Sequence, residues 1–171
     1  MNALAKAPVA SGEYIAAMGL AATGVSVVTT DGPSGRFGVT VSAVSSVSAE
    51  PPLVLICINR KSPAAAAVEA NGFFAVNLLA AEHRAYAETF AGRPREGKPF
   101  DFGNHDWRDG DTGLPLVKDA TAVFECEMHD SLDAGTHRIF IGRVLAAHRG
   151  IAEPLVYCNR AFRRIVNHEG N

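Results

Sequence analysis

The segment Leu53-Val54-Leu55-Ile56-Cys57-Ile58-Asn59-Arg60-Lys61-Ser62-Pro63 gives the clearest structural signal in the chain. It begins with an uninterrupted apolar run, which predicts a central β-strand covered on both faces. Ser62 before Pro63 then predicts the start of a helix, with the serine as N-cap and the proline in the first turn. Asn71-Gly72 predicts the end of that helix. The sequence therefore predicts a buried strand, then a turn that carries the two cations Arg60 and Lys61, then a helix.

The segments around this one predict further strands. Residues 25–30 and 73–79 are strand-like, and apolar and hydroxyl residues alternate from 37 to 48 with the period of two of a strand that has one polar face. A later pair has a turn at residues 131–135. Its first strand points Ala122, Phe124, Cys126 and Met128 inward against Glu125, Glu127 and His129, and its second has Ile139, Ile141 and Leu145 on one side. Antiparallel pairing of this kind predicts a mainly β fold, a Greek-key antiparallel β-barrel with short helices. A helix is predicted over residues 81–91, and a long surface loop over 93–113.

Length and composition limit the classes of function. The chain has 171 residues, is 47% hydrophobic and carries a formal net charge of −2. These values indicate one domain over residues 1–171, with 1–12 as a flexible N-terminal segment. The charge balance argues against nucleic acid and anionic membranes as partners, and no apolar run approaches the roughly 20 residues that span a bilayer. Three widely separated cysteines support neither a disulfide framework nor a zinc site, and they favour a cytoplasmic protein.

The turn between the predicted strand and helix is the first candidate site. A helix N-terminus presents unpaired N–H groups and about half a positive charge, so Arg60 and Lys61 beside it would make a phosphate site. A solvated, capped turn explains the same residues and is the more common arrangement. The local pattern leaves both interpretations open.

Two other features are equally ambiguous. The first is a row of hydroxyl groups on one predicted strand: Thr40, Ser42, Ser46 and Ser48. These side chains would bracket a flat polar ligand, or they form an ordinary half-exposed strand face. The second is His137, which is expected at the mouth of a strand just after Gly135, where it contacts a ligand or ties down the turn. No histidine spacing predicts a metal site, so none is assigned, and no dinucleotide or P-loop glycine pattern occurs.

Several ordered stretches carry a family resemblance. They are Ala22-Thr23-Gly24-Val25-Ser26-Val27-Val28-Thr29-Thr30, Gly38-Val39-Thr40-Val41-Ser42-Ala43, Ser46-Val47-Ser48 with Pro51-Pro52-Leu53-Val54-Leu55-Ile56-Cys57, Phe74-Ala75-Val76-Asn77-Leu78-Leu79, Phe90-Ala91-Gly92, Gly135-Thr136-His137 and Phe140-Ile141-Gly142-Arg143-Val144. In this order they resemble the short-chain flavin reductases, the small components of two-component flavin-dependent monooxygenases such as 4-hydroxyphenylacetate 3-monooxygenase. The resemblance covers residues 13–165.

The resemblance implies a fold and an activity. The fold is an FMN-binding split barrel, usually a homodimer. The activity is reduction of FMN or FAD by NADH or NADPH, with hydride transfer to flavin N5 and delivery of the reduced flavin to a separate oxygenase. Such chemistry needs no acid–base pair from the protein, because the two cofactors supply the reactivity. A non-catalytic split-barrel protein that carries or senses flavin is the alternative.

The resemblance also implies contacts, position by position. It places Thr40, Val41, Ser42 and Ala43 at the flavin ring, Cys57, Asn59, Arg60, Lys61 and Ser62 at the ribityl chain and phosphate, Asn77 and Leu78 on the other side of the flavin, and His137 at the nicotinamide. Family members commonly have Gly-Asp-His where this chain has Gly135-Thr136-His137, so the histidine lacks the neighbouring carboxylate.

Overall fold

A computed structural model describes residues 7–166, and strands predominate in it. The strands are β1 (Thr23–Gly24), β2 (Ser26–Thr30), β3 (Phe37–Val41), β4 (Val44–Ala49), β5 (Pro52–Asn59), β6 (Phe73–Leu78), β7 (Trp107–Asp109), β8 (Pro115–Val117), β9 (Ala122–Ala134), β10 (His137–Arg149), β11 (Val156–Cys158) and β12 (Ala161–Arg163). The helices are α1 (Ser11–Met18), α2 (Pro63–Asn71) and α3 (Arg84–Phe90), with a short 3₁₀ helix at Ala81–His83. The prediction of a mainly β fold with short helices is confirmed. None of the helices in this part of the chain is long and apolar enough to cross a bilayer.

Seven strands form one antiparallel sheet in the order β3-β2-β6-β9-β10-β5-β4. The sheet curls until the corner between β3 and β4 meets β5, where the amide of Cys57 donates a hydrogen bond of 3.2 Å to the carbonyl of Ala43. No ladder within residues 7–166 joins β3 to β4. The sheet is therefore curled but not closed as a barrel.

The core lies on both faces of this sheet. Inside the curl, side chains of six strands pack around Phe74 and Phe140, and α2 adds Ala65 and Val68. On the outer face of β2, β6 and β9, α3 packs through Phe90 against residues of β8 and the segments beside it. Both helices next to the candidate site are therefore fixed by core contacts.

The junction between β5 and α2 has the predicted form. β5 ends at Asn59, Ser62 is the N-cap of α2, and Pro63 is its first residue. The helix ends at Gly72, whose φ of 73° lies in the left-handed region that favours glycine. The burial of β5 differs from the prediction. The strand lies next to the sheet edge, and it alternates between fully buried and half-buried residues, because one of its faces has no covering layer within the described chain.

Other differences follow from the curl and from tertiary packing. Residues 37–48 form two strands, since Ser42 and Ala43 make the corner at which the sheet bends. β9 continues to Ala134, which leaves only Gly135 and Thr136 as the turn. The predicted loop over 93–113 contains β7, which pairs with β8. Of the predicted flexible segment 1–12, residues 1–6 lie outside the described residues, and α1 begins within it at Ser11.

Candidate functional site

The turn between β5 and α2 is built from hydrogen bonds to the main chain. The amide of Ser62 donates to the carbonyl of Asn59, and the side-chain oxygen of Asn59 accepts from the amide of Lys61, both across 2.9 Å. The amide of Arg60 donates to the carbonyl of Thr136 across 3.0 Å. The turn is thereby held against the β9–β10 hairpin, a contact between segments far apart in the sequence.

The start of α2 leaves hydrogen-bond donors for an anion. Ser62 makes no side-chain cap hydrogen bond, so its hydroxyl is not used by the helix. A cavity of about 200 Å³ opens there, lined by Ser62, Pro63 and Ala64 together with Arg36, Phe37, Gly38 and Phe100. A helix N-terminus and a hydroxyl beside a cavity are suited to a phosphate group.

The charge of Arg60 is partly neutralised by the hairpin. Its guanidinium lies 3.1 Å from the carboxylate of Asp133 and donates a hydrogen bond of 3.4 Å to the carbonyl of Gly135. The carboxylate also accepts from Arg138 at 2.7 Å. Hydrogen bonding by Arg138, with a smaller contribution from Arg60, holds the pKa of Asp133 below its usual range. Lys61 and the start of α2 therefore supply much of the positive potential of the turn.

His137 lies where the hairpin meets this turn. It pairs with Asn59 in the ladder between β10 and β5, and its side chain is exposed. Its Nδ1 is 2.9 Å from the hydroxyl of Thr136, so the threonine contacts the ring from the position at which the resemblance leads us to expect aspartate. An open cavity of about 570 Å³ adjoins the pair and is lined by Asn59, Arg60, Lys61, Gly135 and Thr136.

The corner after β3 approaches the same region through Ala43, whose carbonyl accepts the Cys57 amide. Ser42 and Ala43 are exposed, Val41 is buried in the core, and the hydroxyl of Thr40 donates to the carbonyl of Ala87 at 2.8 Å. Of these four residues, Ser42 and Ala43 are thus the most accessible to a ligand. The Cys57 thiol is half-buried, and burial raises its pKa, which disfavours the reactive thiolate.

Asn77 and Leu78 lie on β6, between β2 and β9 in the sheet. Asn77 is fully buried and donates to the carbonyl of Val27 at 2.9 Å and the hydroxyl of Thr29 at 3.2 Å. Its oxygen accepts the amide of Val117 at 2.8 Å. The carboxamide is fully used by the protein, so we assign Asn77 to the fold. Leu78 packs against the core inside the curl.

The sequence interpretation missed a group of arginines on the other side of Thr40 and Ser42. Arg84, Arg93 and Arg160 line a cavity of about 490 Å³ together with these two residues. The arginines come from separate segments, so no sequence spacing indicates that they meet.

A second missed feature is the burial of Glu125, which was predicted to face outward. Its oxygens accept hydrogen bonds from the amides of Asp111 (3.1 Å) and Thr112 (2.8 Å), from the Thr112 hydroxyl, and from Nε2 of His148 (2.7 Å). Burial raises the pKa of Glu125, but these hydrogen bonds outweigh it and hold the pKa below its usual range.

Asp111, Glu125 and His148 place their side-chain ligand atoms within 4.8 Å of one another. The Glu125 oxygens are already occupied by protein donors, and a Cβ at Gly110 would overlap this carboxylate. We therefore interpret the cluster as an anchor for the β7–β8 turn and assign no metal to it.

Comparisons with known proteins show which family the chain resembles. A family model described as flavin reductase like domain matches residues 18–166. The chain is similar to the FMN reductase (NADH) RutF of Variovorax paradoxus (strain S110), with 40% identity over 154 residues that cover 90% of this chain and 84% of that protein.

Two solved structures are also similar. The Streptomyces globisporus C-1027 NADH:FAD oxidoreductase SgcE6, in complex with NAD and FAD fragments, has a TM-score of 0.84 and 31% identity, and the match covers 96% of this chain and 100% of that one. BorF, the flavin reductase component of a bacterial two-component tryptophan halogenase, has a TM-score of 0.81 and 36% identity, with coverage of 93% and 100%. The resemblance found in the ordered motifs is confirmed.

Proposed function

The chain belongs to the flavin reductase family, and we propose that it uses NADH to reduce FMN or FAD and supplies the reduced flavin to an oxygenase component. The observation that carries the proposal is the donor group at the start of α2, whose preceding turn is bonded to the hairpin that carries His137, in a chain of this family. The names of RutF and SgcE6 support NADH with FMN or FAD, and that of BorF supports an oxygenase partner. NADPH is the second candidate reductant.

The residues of the β5–α2 turn fit the phosphate of a flavin. The Ser62 hydroxyl and the first turn of α2 provide neutral donors, while Lys61 and Arg60 provide positive charge. Asn59 is committed to holding the Lys61 amide, so its role is to shape the turn. The Thr40 hydroxyl donates a hydrogen bond to α3, and Val41 packs in the core. Both residues therefore hold the corner in place.

When bound, flavin supplies an N5 atom that accepts hydride directly from the nicotinamide C4. The task of the protein is therefore to align the two rings and to exclude water. In this proposal Ser42, Ala43 and Cys57 border the flavin ring, and His137 positions the nicotinamide. Thr136 orients the imidazole through its contact with Nδ1, and no proton transfer from His137 is required.

A homodimer is also part of the proposal. On the outer face of the sheet, Leu55 pairs with Ile141 and Cys57 with Ile139, and none of the four belongs to either core cluster of the described residues. All four are half-buried in the single chain. An uncovered apolar face of this kind is suited to a second copy. His137 continues the same face, so a partner would lie at the edge of the flavin site.

The dimer is tested by placing a charge on this face. Ile141→Lys is expected to give a monomer in sedimentation experiments and to lose flavin reduction. Ile151→Lys is the matched control, because Ile151 is fully exposed and outside the sheet. A variant Ile141→Lys that sediments as the wild type and keeps its rate would contradict the interface.

The activity is tested by steady-state oxidation of NADH and NADPH with FMN, FAD or no flavin, under air. We expect oxidation that depends on added flavin, and anaerobically one flavin reduced per NADH consumed. Absence of flavin-dependent oxidation with either nucleotide would refute the reductase and favour a flavin carrier. The free thiols Cys57, Cys126 and Cys158 support a cytoplasmic location, which cell fractionation would check.

A further inference from the structure

The cavity on the far side of Thr40 and Ser42 lies between α3 and the β11–β12 hairpin. It is separate from the β5–α2 turn and has a volume of about 490 Å³. Arg84 lies on α3, Arg93 follows the end of α3, and Arg160 lies at the hairpin turn. Three guanidinium groups from three places in the fold therefore face one space.

Positive charge is concentrated here in a chain with a net charge of −2. Glu88 is the one carboxylate lining the cavity, and it is shared, since Arg84 lies 2.7 Å and Arg95 3.1 Å from it. Arg93 and Arg160 form no ion pair with a carboxylate anywhere in residues 7–166. The cavity is thus suited to an anion that carries more than one negative charge.

The backbone at Arg160 strengthens this argument. Asn159 and Arg160 are the two central residues of the hairpin, with φ of 49° and 58°. A two-residue hairpin with both φ values positive favours glycine at its second position. An arginine held in this conformation beside a cavity points to a role for its side chain in binding.

Two aromatic residues of the hairpin, Tyr157 and Phe162, line one side of the cavity. The Tyr157 and Phe162 rings meet edge to face with centroids 5.3 Å apart, and the Arg84 guanidinium lies 5.2 Å from the Phe162 centroid. Arg84 therefore links α3 to the hairpin. Aromatic rings next to guanidinium groups fit a nucleotide, which carries both a planar base and phosphates.

We propose that this cavity binds the diphosphate of a dinucleotide, as a second anion site distinct from the phosphate site at the start of α2. The inference rests on the proposed function, because that function requires a dinucleotide. The diphosphate belongs either to NADH or to the adenylate half of FAD. FMN, which has one phosphate, would need only the site at α2.

The test uses Arg160→Gly, because glycine suits the backbone of this turn. The variant is expected to unfold in urea at a concentration no lower than the wild type and yet to lose one charge-assisted contact. Dissociation constants for NADH, FMN and FAD are measured by fluorescence titration, without turnover. We expect the constant of the dinucleotide to rise about tenfold or more, and that of FMN to stay unchanged. Arg93→Gln provides a second variant, and Arg163→Gln, on the same hairpin but outside the cavity, is the control.

The measurements distinguish NADH from FAD as the source of the diphosphate. A rise confined to NADH assigns the cavity to the reductant, and a rise confined to FAD assigns it to the flavin. Unchanged constants for both dinucleotides in Arg160→Gly and Arg93→Gln would overturn the proposal. These dissociation constants are measured without catalysis. A wild-type protein that failed to oxidise NADH would therefore refute the proposed function, while dinucleotide binding at the cavity could still be measured.

Discussion

Arg60→Ala and Asp133→Asn are expected to move FMN affinity in opposite directions. Arg60 is proposed to contact the flavin phosphate, but its guanidinium lies 3.1 Å from the Asp133 carboxylate, which would compete for it. Removing the arginine deletes one charge-assisted interaction. Removing the negative charge of Asp133 while keeping the shape of the side chain leaves the guanidinium to the phosphate.

The size of the effect follows from this competition. A charge-assisted hydrogen bond contributes about 1.5–3 kcal/mol. Because Asp133 already neutralises part of the charge, we expect Arg60→Ala to lie near the lower end, about 1.5 kcal/mol or roughly tenfold in the dissociation constant. Asp133→Asn is expected to tighten FMN binding.

The assay is fluorescence titration of FMN and of riboflavin, which has the same ring without the phosphate. Riboflavin affinity should change little in both variants. Arg143→Ala is the control, since Arg143 is exposed and pairs with Glu127. Equal losses for FMN and riboflavin in Arg60→Ala would show that Arg60 supports the ring or the fold. Weaker FMN binding in Asp133→Asn would show that the carboxylate orients Arg60 and does not compete for it.

Three further variants test individual assignments. His137→Ala should raise the Michaelis constant for NADH and slow anaerobic flavin reduction while FMN affinity changes little; unchanged NADH dependence would remove His137 from the site. Asn77→Ala should cost about 3 kcal/mol of stability in urea unfolding, because it leaves the buried Val117 amide without a partner, and the protein that remains folded should bind FMN normally. Glu125→Gln should cost about 2 kcal/mol, against less than about 1 kcal/mol for the control Glu127→Gln, which removes a half-buried carboxylate whose ion-pair partner is the exposed Arg143. Hydrogen bonding holds the folded-state pKa of Glu125 below its usual value, so the contribution of this carboxylate to stability is fully present above its unfolded-state pKa and is lost as the pH falls through the lowered folded-state pKa. If the wild type and Glu125→Gln lost stability in parallel as the pH fell, this assignment would be contradicted.

The strand–helix junction was predictable because its signals are local. Ser62, Pro63 and Gly72 act through the backbone of their own turns, and the structure places the N-cap, first turn and end of α2 at these residues. The same locality explains why the helix N-terminus was found from the sequence.

The other features of the fold and the site depend on tertiary contacts, which local sequence patterns do not indicate. Apolar and hydroxyl residues alternate over residues 37–48 without a break at the corner formed by Ser42 and Ala43. Because the corner is two residues long, it keeps the period of two, and the sequence pattern does not reveal the bend. Asn77 and Glu125 are polar residues whose hydrogen-bond partners come from distant segments, and burial follows from those partners. Arg84 and Arg160 line one cavity because α3 packs against the β11–β12 hairpin.

The contact between Gly110 and Glu125 limits how the sequence can change over evolution. Any side chain at position 110 would overlap the carboxylate, and a smaller residue at 125 would leave the Asp111 and Thr112 amides without their acceptor. Neither position can be exchanged first without a loss, so the two are expected to be epistatic. A mutational path to a different β7–β8 turn would have to pass through a destabilised intermediate or change both residues together.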